Sequence, residues 1–405
     1  MVNRTYFKCK SCETALACRT QVGHGREQTY LFPCPICGVD LGYSLVIDQQ
    51  KLTLKYADLL NLDEYVGGTE PGHLLTFASD FLVDKVPSVG AEQTPLTPFM
   101  ANLGLAYDRE RYLKLRSIRK QAAEDFWPSL QRARIHQRKG DVKKFHAELL
   151  AIGGVDPASK LRESDMPQVI AECIEMFEGL FSSENGHERK LVDERIAEAN
   201  RISSKDVEEL KAYYVNENRG EELFDELRNL DRQWVDLYAF FAPLEIVDCT
   251  DDVQTLVNHY TLSEKPLARL KAFYSDCFES LGRLLNIAAA YEGICLGTGV
   301  GMPSKSRLIP LAELVNAANG TKAELMASMP YWSIVEGHFD SKLRNGIGHN
   351  SWRYDAASDT IHYQNQSQSK GRQDFSMAYL DFCIRTRKLF HCVTFFAKYL
   401  HSVWV

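Results

Sequence analysis

LARLKAFYSDCFESLGRLLNIAAAYEGI, running from Leu267 to Ile294, decides the fold class of this 405-residue chain. Its apolar residues fall at 267, 270, 273, 274, 277, 278, 281, 284, 285, 288, 291 and 294, mostly in steps of three and four. That period puts them on one face of a long helix. The last stretch repeats it at 375, 378, 379, 382, 383, 386, 389, 390, 393, 396, 397 and 400. Two such faces can bury each other, so an antiparallel pair of long helices is expected to form the core of the C-terminal third. Shorter helices are expected between them, over 308–318, 321–329 and 331–346. The chain therefore reads as mainly α.

Upstream, the helical pattern begins at Tyr107. Residues 107–146 hold twelve Lys or Arg against five acids, whereas 156–231 hold twenty acids against ten bases. A basic helix with Tyr112, Phe126 and Trp127 could follow a phosphate backbone and stack bases. The competing reading is a bundle in which basic and acidic helices neutralise each other, and charge patterning favours it. Residues 51–105, broken by Gly67, Gly68, Pro71, Pro87, Pro95 and Pro98, read as a connector.

Composition narrows the class. With 45% apolar and 25% charged residues and a net charge of −7, the chain is neither disordered nor a uniformly basic coat protein. Its apolar runs fall well short of the roughly 18 residues that a membrane span needs, and its start lacks a secretory apolar stretch. A cytoplasmic protein is expected. Eleven cysteines in a reducing compartment are thiols or metal ligands.

Four of the eleven form two C-x2-C pairs, Cys9/Cys12 and Cys34/Cys37, separated by Glu13–Pro33. Two such turns can aim four thiolates at one centre, the tetrahedral shell that Zn²⁺ prefers. Gly38 suits a tight turn after the second pair. With β-prone segments at Thr5–Lys8, Thr29–Phe32 and Gly42–Ile47, residues 1–50 resemble a zinc ribbon holding one structural Zn²⁺. Cys18 and His24 read as bystanders. Cys173, Cys277, Cys295, Cys383 and Cys392 read as ordinary thiols, most of them on helical faces, and Cys249 falls in a loop. Gly297-Thr-Gly-Val-Gly301 lacks the Gly-Lys-Ser/Thr ending of a phosphate loop and reads as a helix stop.

Lys342-Leu-Arg-Asn-Gly-Ile-Gly-His-Asn350 carries the chemistry. It ends a helix and precedes an expected β-hairpin, Trp352–Asp355 with Thr360–Gln364. A guanidinium can clamp phosphate oxygens bidentately, and an imidazole titrates near neutrality, so the pair suits phosphodiester cleavage. Similar Arg-to-His spacings at Arg19/His24 and Arg385/His391 lack this context.

Arg344, Asn345 and His349, with their helix and hairpin, resemble the motif of the HEPN family of helical-bundle proteins, over roughly residues 255–405. The resemblance implies a metal-independent endoribonuclease of a microbial toxin or anti-phage defence module. It further implies an RNA substrate, attack by the 2′-OH, a homodimer whose two motifs face one cleft, and the possibility of a regulatory partner protein. Glu336, Glu292 and Glu279 are candidates for an acidic group completing the site. The other reading is an inert zinc-ribbon and HEPN adaptor that binds nucleic acid or protein. The expected order is thus ribbon at 1–50, connector at 51–105, basic then acidic helices at 106–250, and HEPN-like bundle at 251–405.

Overall fold

The computed structural model describes residues 2–23, 27–48, 53–67, 71–85, 98–154, 156, 160–181, 186–216, 219–303, 308–327, 335–367 and 371–404. The chain is mainly α. Its strands among those residues are β1 (Val2–Cys9), β2 (Ala15–Gln21), β3 (Glu27–Pro33), β4 (Asp40–Asp48), β5 (Thr53–Leu60), β6 (Leu62–Glu64), β7 (His73–Ala78), β8 (Val83–Asp84), β9 (Tyr260–Thr261), β10 (Gly301–Pro303), β11 (Leu308–Pro310), β12 (Trp352–Asp355), β13 (Thr360–Ser367) and β14 (Gly371–Ala378). Two compact units emerge, each built from three chain segments.

The first unit comprises Met1–Ser117, Leu237–Lys271 and Lys342–Arg385. One sheet runs β6-β1-β2-β7, with β1 and β2 antiparallel and β7 parallel to β2; a second runs β3-β4-β5. Phe7, Tyr30, Phe32, Tyr43 and Phe77 fill a common core. Tyr43 packs on Phe7 at 5.1 Å and on Tyr30 at 5.0 Å, and its hydroxyl meets Thr20 Oγ1 at 2.8 Å, so a large ring is buried with its polar end satisfied. The stretch read as a connector carries β5 to β8: β5, β6 and β7 complete these sheets, and β8 pairs antiparallel with β9.

A third sheet, β12-β13-β14, is antiparallel throughout. The expected hairpin is present and gains a strand. β14 carries the sheet through Ala378, so residues 375–378 extend it instead of opening the last helix, which spans Tyr379–Trp404. Gly371 takes φ +68° at the start of β14, and Phe375 and Met377 alternate onto the face of Tyr363 and Ile361. Phe375 stacks on Tyr363 at 5.3 Å. A fully buried lysine braces the hairpin turn: Lys265 Nζ donates to Asp359 Oδ1 at 2.9 Å, to Leu262 O at 2.7 Å and to Thr261 Oγ1 at 3.0 Å.

The second unit comprises Ile118–Asp236, Ala272–Ser341 and Thr386–Val405. Trp234 lies at its centre, stacked on Phe390 at 4.5 Å and tilted against Phe273 at 6.2 Å. The long helix Leu267–Cys295 appears as its period requires. Its partner, however, runs in the same direction. Phe273 meets Phe390, and further along both chains Tyr291 meets Tyr399 and hydrogen-bonds Ser402 Oγ at 2.8 Å. The pair is parallel, corrected from antiparallel, because the chain between them returns to its starting end.

Between the long helices, 308–318 begins as β11, held to β10, and only Leu311–Asn316 is helical. Pro310, with no N–H to give, sits at the N-cap of that turn. The next helix is Asn319–Met326. Residues 328–329 of the expected 321–329 helix and 331–334 of the expected 331–346 helix lie outside the described residues. Gly337 at φ +84° interrupts it, and the helix that carries the motif is Ser341–Gly348. Cys249, read as a loop residue, ends the buried helical turn Ala242–Cys249.

Tyr112, Phe126 and Trp127 are buried, and Phe126 and Trp127 pack on Phe177 at 6.0 and 4.8 Å. Rings so placed are core and leave no face for bases. The basic stretch finds partners close by: Arg132 with Glu148 at 2.9 Å, Lys144 with Asp141 at 3.4 Å, and the buried Arg119 donating to Leu180 O at 2.8 Å. No helix of the described residues is long and apolar enough to cross a membrane.

Candidate metal centre and candidate active site

The N-terminal thiols converge as their spacing requires. The sulfurs of Cys9, Cys12, Cys34 and Cys37 all lie within 4.8 Å of one another. Cys9 and Cys37 stand 3.8 Å apart, and Cys12 and Cys34 3.6 Å. Four thiolates about 2.3 Å from a tetrahedral ion would sit roughly 3.8 Å apart, so the set fits a metal ion. Each pair is shaped by a turn. At the second, Cys34 N donates to Val39 O at 2.8 Å, Gly38 N to Cys34 O at 3.0 Å, and Gly38 takes φ +73°. At the first, Glu13 does the same with φ +58°, although it is not glycine.

The thiols do not titrate alike. The Thr14 hydroxyl and backbone amide hold Cys12 down at about 6. The Val39 amide favours a thiolate at Cys37 too, yet burial and the three facing sulfurs push that thiol up to about 12. One charge is readily placed in the cluster and the next is resisted, which is the imbalance a cation relieves. Cys18 faces the core, fully buried, and its thiol is pushed up by burial. His24 lies outside the described residues. Burial likewise raises Cys173 and Cys249 to about 11.

The second site is the end of helix Ser341–Gly348. His349 N donates to Asn345 O at 2.9 Å, Asn350 N to Ile347 O at 3.2 Å and Ser351 N to Gly346 O at 2.9 Å. With Asn350 left-handed at φ +54°, this is a Schellman C-cap. His349 is thereby the C-cap residue, exposed on the turn just past the helix. Arg344, five positions earlier on the same helix, is half-buried. A methyl group on Gly348 would come within 3.2 Å of Arg344 Nη1, so the guanidinium rests against the residue preceding His349.

Asn345 faces the sheet. Its Nδ2 donates to Asn365 Oδ1 on β13 at 3.3 Å. Gly346 is buried against the same strand, where an added Cβ would meet Tyr363 Cβ at 2.9 Å. Ser351 closes the contact, its hydroxyl donating to Gly346 O at 3.2 Å and to Gln364 O at 3.0 Å. Lys342 Nζ lies over the Phe375 ring at 5.1 Å. Arg344 and His349 thus share one helix end while Asn345 anchors it.

Sequence reasoning missed Asn365, on β13, and Ser351, which follows the motif directly. Asn350 offered a signal, being a residue that tolerates the left-handed region directly after the helix. The three candidate acids belong to the second unit: Glu336 is exposed on a turn, Glu279 accepts from Asn319 Nδ2 at 3.0 Å, and Glu292 pairs with Arg195 at 3.5 Å. The rejected Arg385/His391 spacing is a different matter. Arg385 pairs with Asp381 at 3.1 Å, and His391 is buried in the second unit. Gly297-Thr-Gly-Val-Gly301 is a helix stop, with Gly297 and Gly299 left-handed and Thr298 N donating to Gly293 O at 2.9 Å.

Comparisons with protein families, with curated proteins and with solved structures return no match for this chain.

Proposed function

We propose that this chain is a metal-independent endoribonuclease of the HEPN type, acting in the cytoplasm as a toxin or anti-phage effector. The observation that supports the reading is that a half-buried Arg344 and an exposed His349 share one capped helix end. Arg344 would bind the scissile phosphate and His349 would move the proton. The RNA 2′-OH attacks phosphorus, giving its proton to an imidazole. The bond to the 5′-oxygen breaks, and that oxygen takes a proton from an imidazolium. The products are a 2′,3′-cyclic phosphate and a 5′-hydroxyl. A homodimer supplies two histidines to one cleft, one as base and one as acid. Asn345 holds the helix to β13 and so orients the pair.

The four-thiolate centre takes zinc in this reading. Zn²⁺ would be held by Cys9, Cys12, Cys34 and Cys37, closing the fold of the N-terminal sheets and taking no part in cleavage. The alternative is an inert adaptor in which the ribbon and the basic helix at 107–146 bind and the bundle dimerises. Burial of Tyr112, Phe126 and Trp127 removes the stacking surface that this reading assigned to the basic helices.

The deciding experiment is cleavage of total RNA in EDTA by wild type, Arg344→Ala and His349→Ala. Wild type is expected to leave cyclic-phosphate ends, and both variants to lose cutting by about 10²-fold or more. Cutting that survives His349→Ala would remove that residue from the mechanism; a wild type that cuts no RNA would favour the adaptor.

A further inference from the structure

Strand β7 is an edge strand, paired in parallel with β2 on one side only. Along a strand, the N–H and C=O of one residue point to one side and those of the next to the other. Ser79 N donates back toward β2, to Gln21 O at 3.4 Å, while Ala78 N donates away from it, to Ser263 Oγ at 2.9 Å. Stepping back in twos from Ala78, Leu74 and Thr76 turn their amides and carbonyls to the open side. Among the described residues nothing is hydrogen-bonded to those four groups.

The open side is a cavity of about 520 Å³ within the first unit. Every residue from Gly72 to Phe77 lines it, so it runs along the strand edge and touches both faces. Phe32, Leu82, Tyr260 and Leu262 supply apolar walls. Arg19, on β2, also lines it, and its guanidinium meets no acid or acceptor among the described residues.

Polar groups that repeat every second residue along an edge match a backbone and not a compact ligand, whose recognition needs polar groups converging on one point. Natural edge strands are ordinarily blocked by charge, proline or a covering element; here no described residue pairs with the edge, which faces a pocket. We infer that β7 takes up an extended peptide strand from another protein, apolar at alternate positions, with a carboxylate that meets Arg19. Leu74 and Thr76 supply the ladder, the apolar walls take the alternate side chains, and the Arg19 guanidinium sets the sign of the partner's charge. This inference is independent of RNA cleavage.

The test uses the full zinc-loaded chain and a fluorescein-labelled library of hexapeptides, X-Thr-X-Thr-X-Asp, with X drawn from Val, Ile, Leu and Phe and a free C-terminus. Anisotropy is expected to find binders. N-methylating one alternate set of the best binder's amides should weaken it about tenfold or more, and the other set little, because only one set faces β7. Thr76→Pro removes an outward N–H without touching the β2 ladder and should abolish binding at unchanged zinc content. Arg19→Ala should weaken the acidic peptide about tenfold and its amidated Asn counterpart little. No binder in the library, or two N-methylated sets that bind like the parent, would overturn the inference, and that comparison holds even if Thr76→Pro does not fold.

Discussion

Asn345 donates its side-chain amide to Asn365 Oδ1, 3.3 Å away on β13, and so fastens the helix end that bears Arg344 and His349 to a strand twenty residues further on. Asn365 acts on the motif through Asn345, so its role in the proposed reaction is positioning. Asn365→Ala is expected to lower kcat for RNA cleavage about tenfold at unchanged KM, while Asn365→Asp, which keeps the acceptor, restores most of it. Equal kcat in all three would show that Asn345 needs no anchor.

The two glycines of the motif answer differently to alanine. At Gly346 the new Cβ would meet Tyr363 Cβ at 2.9 Å and Gln364 O at 3.3 Å, neither of which can give way without moving β13. Gly346→Ala is expected to cost about 1–3 kcal/mol in urea unfolding. At Gly348 the new Cβ meets the far end of Arg344 alone, 3.2 Å away. Stability should hold or rise by up to about 1 kcal/mol, since alanine is the better helix former. Cleavage should fall, because the guanidinium must shift.

Glu264 gives the first unit a pH dependence. Burial pushes its carboxyl up to about 8, from an ordinary value near 4.5. Below the ordinary value the group is neutral in both the folded and the unfolded chain and carries no penalty. As pH rises from about 4.5 to about 8 the unfolded chain ionises it and the folded chain does not, so stability falls across that window and then levels. Glu264→Gln is expected to flatten this fall in thermal unfolding measured at pH 5, 6, 7 and 8. An unchanged slope would place the pH dependence elsewhere.

What was legible in the sequence followed from local rules. The thiolate spacing foretold the four-sulfur cluster, and the period of Leu267–Ile294 foretold its helix. Periodicity says which face is buried but not which way the partner runs, so the parallel sense of the long helices was hidden. Phe375, Ala378 and Tyr379 fit a helical step as well as the end of a strand, and only pairing with Tyr363 and Ile361 decides for β14. Strands β5 to β8 depend on partners far along the chain, as in the pairing of Leu75 with Cys18. The Arg344 and His349 pair was visible as a motif. Its anchor was not, because Asn365 reaches Asn345 through a sheet that no local pattern specifies.

The metal centre makes the last prediction. Four thiols this close, one favoured as thiolate and one resisted, are poorly arranged without a cation, and the N-terminal sheets share their core with Cys9 and Cys34. Removal of the ion by a chelator is therefore expected to lower the melting temperature of the chain and to expose Cys9 and Cys34 to thiol reagents. Cys34→Ser should bind less than about a tenth of the zinc of the wild type, measured by atomic absorption. Cys18→Ala should bind as much as the wild type while losing stability, since its sulfur is buried in the core and lies outside the cluster. Zinc undiminished in Cys34→Ser would refute the four-thiolate site, and zinc lost in Cys18→Ala would make that cysteine a ligand.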